Sequence, residues 1–298
     1  MATLSDIKRR IRSVRNTEQI TRAMKMIAGT RLRRAQARML AMRPYRREIA
    51  RIIAGLLPHL AGDEHTLLER RKRVRHAGLF LVTPDRGLCG GLPGNLIREG
   101  LRFIDERLEQ GIEVLVYISG RKGRRAIRSR GDVDVGLCDE GHSEQPTGAL
   151  GESMAMSLAD AFEEGRVDEV YAVYADFRSA AVQNVRCVRA LPVDRESLVH
   201  EAPAPPEEFR ASYNGAEFEP DLEGLIEAAL RRHLGAVVYG ALLEGAASEL
   251  GARLTAMDAA TNNAGDLITE LTLAHNKARQ AAITNELMDI VGGVEAMA

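Results

Sequence analysis

The chain has 298 residues, of which 28% are charged and only 4% aromatic, with no Trp and a net charge of -1. That length allows one large domain or two ordinary ones, and the near-zero charge counts against a nucleic-acid binder. No stretch approaches the roughly eighteen apolar residues of a membrane-spanning helix, so the chain reads as soluble or held to a membrane through partners.

The total charge hides a strong asymmetry. Residues 1–51 carry fifteen Lys or Arg against three acids, and residues 201–298 carry six against sixteen. Pairing of the two ends would neutralise both, so charge and apolar pattern favour the same arrangement.

The first element is a long helix, predicted from Ser5 as N-cap to Leu57, with Pro58 after it and Pro44 as a bend or break. From Ile7 a seam of fours and threes runs through Thr21, Lys25, Ala28, Leu32, Met39, Arg46 and Ile53 to Leu56, and eleven of its fifteen positions are apolar. That narrow stripe is a coiled-coil seam, and the helix would be a rod of roughly 80 Å. Residues 61–75 are polar and end in the basic run Arg70–Arg73, a linker.

The period then changes. His76–Thr83, Glu113–Ser119, Glu169–Asp176 and Val182–Ala190 read as strands, with helices at Leu92–Gln110 and Ser153–Glu164. Strand–helix–strand alternation predicts a largely parallel α/β sheet, with the last two strands as an antiparallel hairpin at one edge. Pro203, Pro205 and Pro206 mark the exit into a second long helix, expected from Pro220 to Val291 and stopped by Gly292-Gly293. Its seam runs through Leu250, Leu254, Met257, Thr261, Ala264, Ile268 and Leu271. Small residues crowd it from Gly245 to Gly265, which implies close approach of another surface: the first helix, or a collar of other subunits.

Catalytic patterns are missing. The seven His are scattered, with His233 and His275 reading as helix seam or surface positions. Cys89, Cys138 and Cys187 lack metal-ligand spacing and read as structural thiols in a reducing compartment. The turn Asp85–Gly91 (DRGLCGG) follows a strand, but it has neither G-x-G-x-x-G nor a Gly-Lys-Ser/Thr, so its glycines are read as serving positive φ angles.

Four segments carry a family resemblance. Arg253–Gly293 (RLTAMDAATNNAGDLITELTLAHNKARQAAITNELMDIVGG), Asp6–Arg34, the turn Asp85–Gly91 with Gly94-Asn95, and Tyr239–Leu250 resemble the gamma subunits of F-type ATP synthases. Pro84, Pro93, Gly245, Gly251 and His275 depart from the family's usual residues. The resemblance implies a long antiparallel two-helix coiled coil, built from 1–60 and 208–298, with an inserted Rossmann-like α/β domain at 76–205. It also implies a non-catalytic central-stalk rotor that needs no cofactor and couples proton flow to ATP synthesis in an alpha/beta hexamer. Its partners would be the alpha, beta and epsilon subunits and the membrane c-ring, at the cytoplasmic face of a bacterial inner membrane. Carried over residue by residue, the hexamer contacts would be Met24, Lys25, Arg253, Arg279, Gln280, Thr284 and Glu286. The residues by themselves also admit a coiled-coil tether with an inserted α/β domain.

Overall fold

A computed structural model describes residues 3–59, 65–195, 198, 219 and 221–295. In chain order the elements are α1 (Leu4–Leu56), β1 (His76–Val82), α2 (Leu92–Glu109), β2 (Glu113–Ser119), α3 (Arg121–Arg130) and β3 (Asp134–Asp139). They continue with α4 (Gly148–Glu163), β4 (Glu169–Phe177), β5 (Gln183–Leu191) and α5 (Leu222–Glu295). Pro203, Pro205, Pro206 and Pro220 lie outside the described residues.

The chain packs as two compact units, Met1–Ala28 with Leu254–Ala298, and Gly29–Arg253. In the first, α1 is capped two residues earlier than expected. Thr3, not Ser5, is the cap: its hydroxyl accepts from the Asp6 N–H at 3.2 Å, and the Asp6 carboxylate accepts from the Thr3 N–H at 3.2 Å. This reciprocal box satisfies two donors that the first turn would otherwise leave bare. The two seams meet antiparallel. Thr21, Ala28, Met257, Thr261 and Ala264 are buried. The Thr21 and Thr261 hydroxyls lie 2.9 Å apart, and each also reaches a carbonyl of its own helix. Four residues on, Lys25 pairs with Asp258. Thr21 and Thr261, polar positions of the two seams, thus meet, and Lys25 is answered by an acid beside the facing seam.

The second unit is built on a five-stranded sheet of order β3-β2-β1-β4-β5, parallel except for β5, which forms the expected hairpin with β4. Alternate residues of each strand enter opposite layers. Phe80, Val82, Tyr117, Val170 and Ala172 pack under α4 and the helix pair, against Met154, Leu158, Phe162, Ile49, Ile53, Leu234 and Val238. Leu79, Leu81, Val116, Ile118 and Val173 pack under α2 and α3, against Leu96, Phe103, Ile104 and Ile127.

Several expectations are corrected. Pro44 does not break α1, which is helical from Leu4 to Leu56, with buried Met39 and Ile49 on either side holding the helix across the missing donor. Gly292-Gly293 does not stop α5, which continues to Glu295. Helix α4 begins at Gly148, five residues early, because the Thr147 hydroxyl accepts from the Leu150 N–H at 3.2 Å and caps it there.

The pair α3 and β3, between the second predicted strand and α4, had no counterpart in the sequence reading. Two glycines of α5 lie against a surface other than the two expected, while a Cβ on Gly265 would meet nothing within 4 Å. A Cβ on Gly245 would stand 2.9 Å from the Val82 side chain of β1. One on Gly251 would stand 3.1 Å from Phe177 and 3.2 Å from the Ala180 backbone. These glycines let the helix lie close against the sheet domain itself.

Candidate functional site

The expected contact residues fall into two environments. In the first unit Met24 and Lys25 are half-buried, while Arg279, Gln280 and Thr284 are exposed, the Thr284 hydroxyl donating to the Gln280 carbonyl at 2.9 Å. The side chain of Glu286 lies outside the described residues. Lys25 stands on the seam, and its ammonium is met by Asp258 of the facing helix. Both partners are more than two-fifths exposed, so the pair contributes little, about 0–1 kcal/mol, and is readily exchanged for another anion. Around the same helices large apolar side chains face outward, among them Ile20, Met26, Ile27, Leu273, Leu287 and Met288.

Arg253 is different. It is 7% exposed and points inward, within the second unit. Its guanidinium donates to Glu249 at 2.7 Å, to Glu144 at 2.8 Å and to the Gly87 carbonyl at 3.3 Å. Burial pushes the Glu249 carboxyl up, and Arg253 holds it partly down. The sequence contained a signal for this pair, an acid four residues before a base on one helix face.

Gly87 belongs to the turn Asp85–Gly91, which is anchored at Asp85. Burial alone would raise the Asp85 carboxyl. Hydrogen bonds from the backbone of Gly141, Ser143 and Arg121 outweigh that and hold it below the usual carboxylate range. The Asp85 N–H in turn donates to the Ser143 hydroxyl at 3.0 Å. Positive φ occurs at Gly90, as expected, but also at Leu88, whose side chain is exposed. Gly87 and Gly91 are not in that region.

Cys89 is buried, and burial pushes its thiol up to about 11, so it stays protonated and unreactive at neutral pH. The free space beside the turn, lined by Thr83, Ser119, Leu242 and Glu249 among others, is about 10 Å³. That volume is far below the roughly 300 Å³ of an ordinary small-molecule pocket.

A wider cleft of about 340 Å³ opens between Met39, Arg43, Arg46 and Arg47 of α1 and Gly240, Leu243 and Glu244 of α5. Burial, and then the neighbouring Asp176, push the Glu244 carboxyl up to about 7, against the pull of Arg46 and Arg43. The folded chain thus keeps a proton that the unfolded chain releases near pH 4.5, so stability falls as pH rises from there to 7. We expect a loss of about 1–2 kcal/mol between pH 5 and 8, after allowance for partial exposure, and its disappearance in Glu244→Gln. Urea unfolding across that range measures it. An unchanged slope in the variant would assign the pH dependence to other groups.

With helix pair, sheet and turn in place, comparison with known proteins becomes decisive. The family model described as ATP synthase matches residues 3–297. The chain belongs to the ATP synthase gamma chain family. It is 41% identical over 300 residues to the ATP synthase gamma chain of Chloroflexus aurantiacus, covering 100% of this chain and 99% of that one.

Among solved structures, a chain of the Euglena gracilis mitochondrial ATP synthase, from its OSCP/F1/c-ring part in rotational state 3, matches with a TM-score of 0.67. The two are 18% identical, with 99% of this chain and 94% of that one covered. A chain of the same organism's ATP synthase rotor, in rotational state 1, matches with a TM-score of 0.63 at 17% identity, over 94% of this chain and 98% of that one. These last two likenesses concern the fold. The gamma-chain fold is thus what the helix pair and the inserted sheet build.

Proposed function

We propose that this chain is the central-stalk rotor of an F-type ATP synthase, coupling ion flow through a membrane ring to ATP synthesis or hydrolysis in an alpha/beta hexamer. The observation that carries the reading is its full-length likeness to gamma chains, which leaves no part of the fold unaccounted for.

The physical arrangement suits the role. A shaft can drive a subunit through conformations of different nucleotide affinity only by contacting those conformations differently. Large apolar side chains facing outward from the helix pair offer such contacts, as does a half-exposed Lys25 whose intrachain pair is weak enough to exchange. On this reading residues 1–60 and 208–298 form the shaft, and 76–205 the domain that meets the epsilon subunit and the c-ring. Met24, Lys25, Arg279, Gln280, Thr284 and Glu286 touch the hexamer, while Arg253 acts from inside by holding the Asp85–Gly91 turn.

The chain itself performs no catalysis on this reading. It attaches peripherally, at the cytoplasmic face of a bacterial inner membrane. Among the described residues no helix is long and apolar enough to cross a membrane.

Reconstitution tests the proposal. Alpha and beta subunits are mixed with and without this chain, and ATP hydrolysis is measured. The rotor reading expects a stoichiometric complex with raised activity, and failure to form one, with normally folded subunits, contradicts it.

A further inference from the structure

Glu144 lies between β3 and α4, in a stretch pinned at both ends. On one side the neighbouring Ser143 N–H donates to the Asp85 carboxylate at 3.1 Å. On the other, Thr147 caps α4. Its two carboxylate oxygens face different helices: Oε1 accepts from Arg253 of α5 at 2.8 Å, and Oε2 accepts from Arg31 of α1. The side chain is 18% exposed, between an Arg253 side chain at 8% and an Arg31 side chain at 46%.

An ionised carboxylate is an acceptor only, with two oxygens, so one Glu can bridge two guanidinium forks where a neutral amide cannot. With Glu249, the cluster contains two cations and two carboxyl groups, all within the second unit. The same Arg253 also reaches the Gly87 carbonyl, so α1, α5, the loop after β1 and the loop after β3 converge on the Glu144–Arg253 pair.

We infer that Glu144 is a positioning residue of the rotor, a bridge that ties both helices of the pair to the loops at the carboxyl ends of β1 and β3 and so transmits torque between helix pair and sheet. The inference rests on the rotor reading above. Apolar packing resists separation of the helices from the sheet, but it resists sliding and twisting poorly, because dispersion contacts are non-directional. Charge-assisted hydrogen bonds are directional and are lost when the partners rotate past one another. A bridge with one arm to each helix opposes twist in either sense.

Membrane vesicles carrying the complete ATP synthase with this chain as its gamma subunit provide the test. ATP hydrolysis and ATP-driven ion pumping are measured in the same preparation, for the wild type and for Glu144→Gln, Glu144→Asp and Arg31→Gln. Glu144→Gln should lower ions pumped per ATP by about threefold, the scale of losing one part-exposed charged bridge. Arg31→Gln, which leaves the Arg253 arm intact, should lower the ratio as well. Glu144→Asp, which retains both oxygens, should recover most of it.

A merely structural role would instead lower assembly and hydrolysis together and leave the ratio alone. An unchanged ratio in Glu144→Gln or in Arg31→Gln overturns the inference, as does an aspartate variant no better than the glutamine one. If Glu144→Gln fails to assemble, Arg31→Gln decides, because that residue is half-exposed and its replacement buries no new charge. A wild-type complex that hydrolyses ATP without pumping would refute the rotor reading instead.

Discussion

Replacing Arg253 with methionine is expected to destabilise the chain by about 3 kcal/mol, because it leaves Glu249 buried and without its cation. Glu249 is 1% exposed, and its carboxyl is already raised by burial. Without Arg253 that rise increases. The penalty is therefore smaller in acid, where the carboxyl is protonated, and grows towards neutrality. The same substitution frees the Gly87 carbonyl and one arm of Glu144, so amide exchange in residues 85–91 should quicken more than in β1. Denaturant unfolding at pH 4.5 and 7.5 measures the first effect. A loss below about 1 kcal/mol at both would show that the pair is solvated in solution and that Arg253 does not hold the turn.

Gly120→Ala should cost still more, about 4 kcal/mol or the loss of a soluble fold. Gly120 follows β2 with φ at 107°, a region that side chains rarely adopt, and an added Cβ would lie 1.9 Å from the Thr83 carbonyl oxygen. Relief cannot come from a flexible side chain, since the clash is with backbone at the end of β1. That backbone is itself fixed: the Thr83 N–H donates to the Ser119 carbonyl at 2.8 Å, and the Thr83 hydroxyl accepts from the Gly123 N–H at 2.9 Å. The Asp85–Gly91 turn begins two residues later, so displacing Thr83 displaces it too. Gly87→Ala is the control. Its added Cβ meets nothing within 4 Å, and its φ is not positive, so a change within about 0.5 kcal/mol is expected. Equal effects of the two would contradict the packing described for the turn.

How much of this was legible depended on whether the signal was periodic. The seams of α1 and α5 and the apolar strands β1, β2 and β4 repeat at helix or strand period, so their existence and nearly their bounds follow from residue order. Helix α3 does not: six of its ten residues are Lys or Arg, and only Gly123 and Ile127 are buried, so it reads as a charged run. Strand β3 is at the sheet edge, half exposed, and carries Gly136, whose absent side chain makes room for the Tyr117 ring.

Charge was harder still. Lys25 is visible in the sequence only as a charge on an apolar seam, because its intrachain partner Asp258 lies 233 residues away. Arg253 read as a contact residue, although it is buried among acids from two segments. The close approach demanded by Gly245 and Gly251 was legible, but its object, the sheet domain, was not, since a missing side chain names no partner. Positive φ was expected within the turn, whereas Gly120, outside it, also needs it and a missing Cβ.

The central claim, that this chain turns inside a hexamer, is tested most directly by watching it do so. Alpha and beta subunits are immobilised, this chain is assembled into them, and a probe is attached to an exposed position of its sheet domain. On addition of ATP the account predicts unidirectional rotation in three equal steps per turn, one for each beta subunit of an alternating hexamer. ATP hydrolysis by the assembled complex with a stationary probe would contradict it.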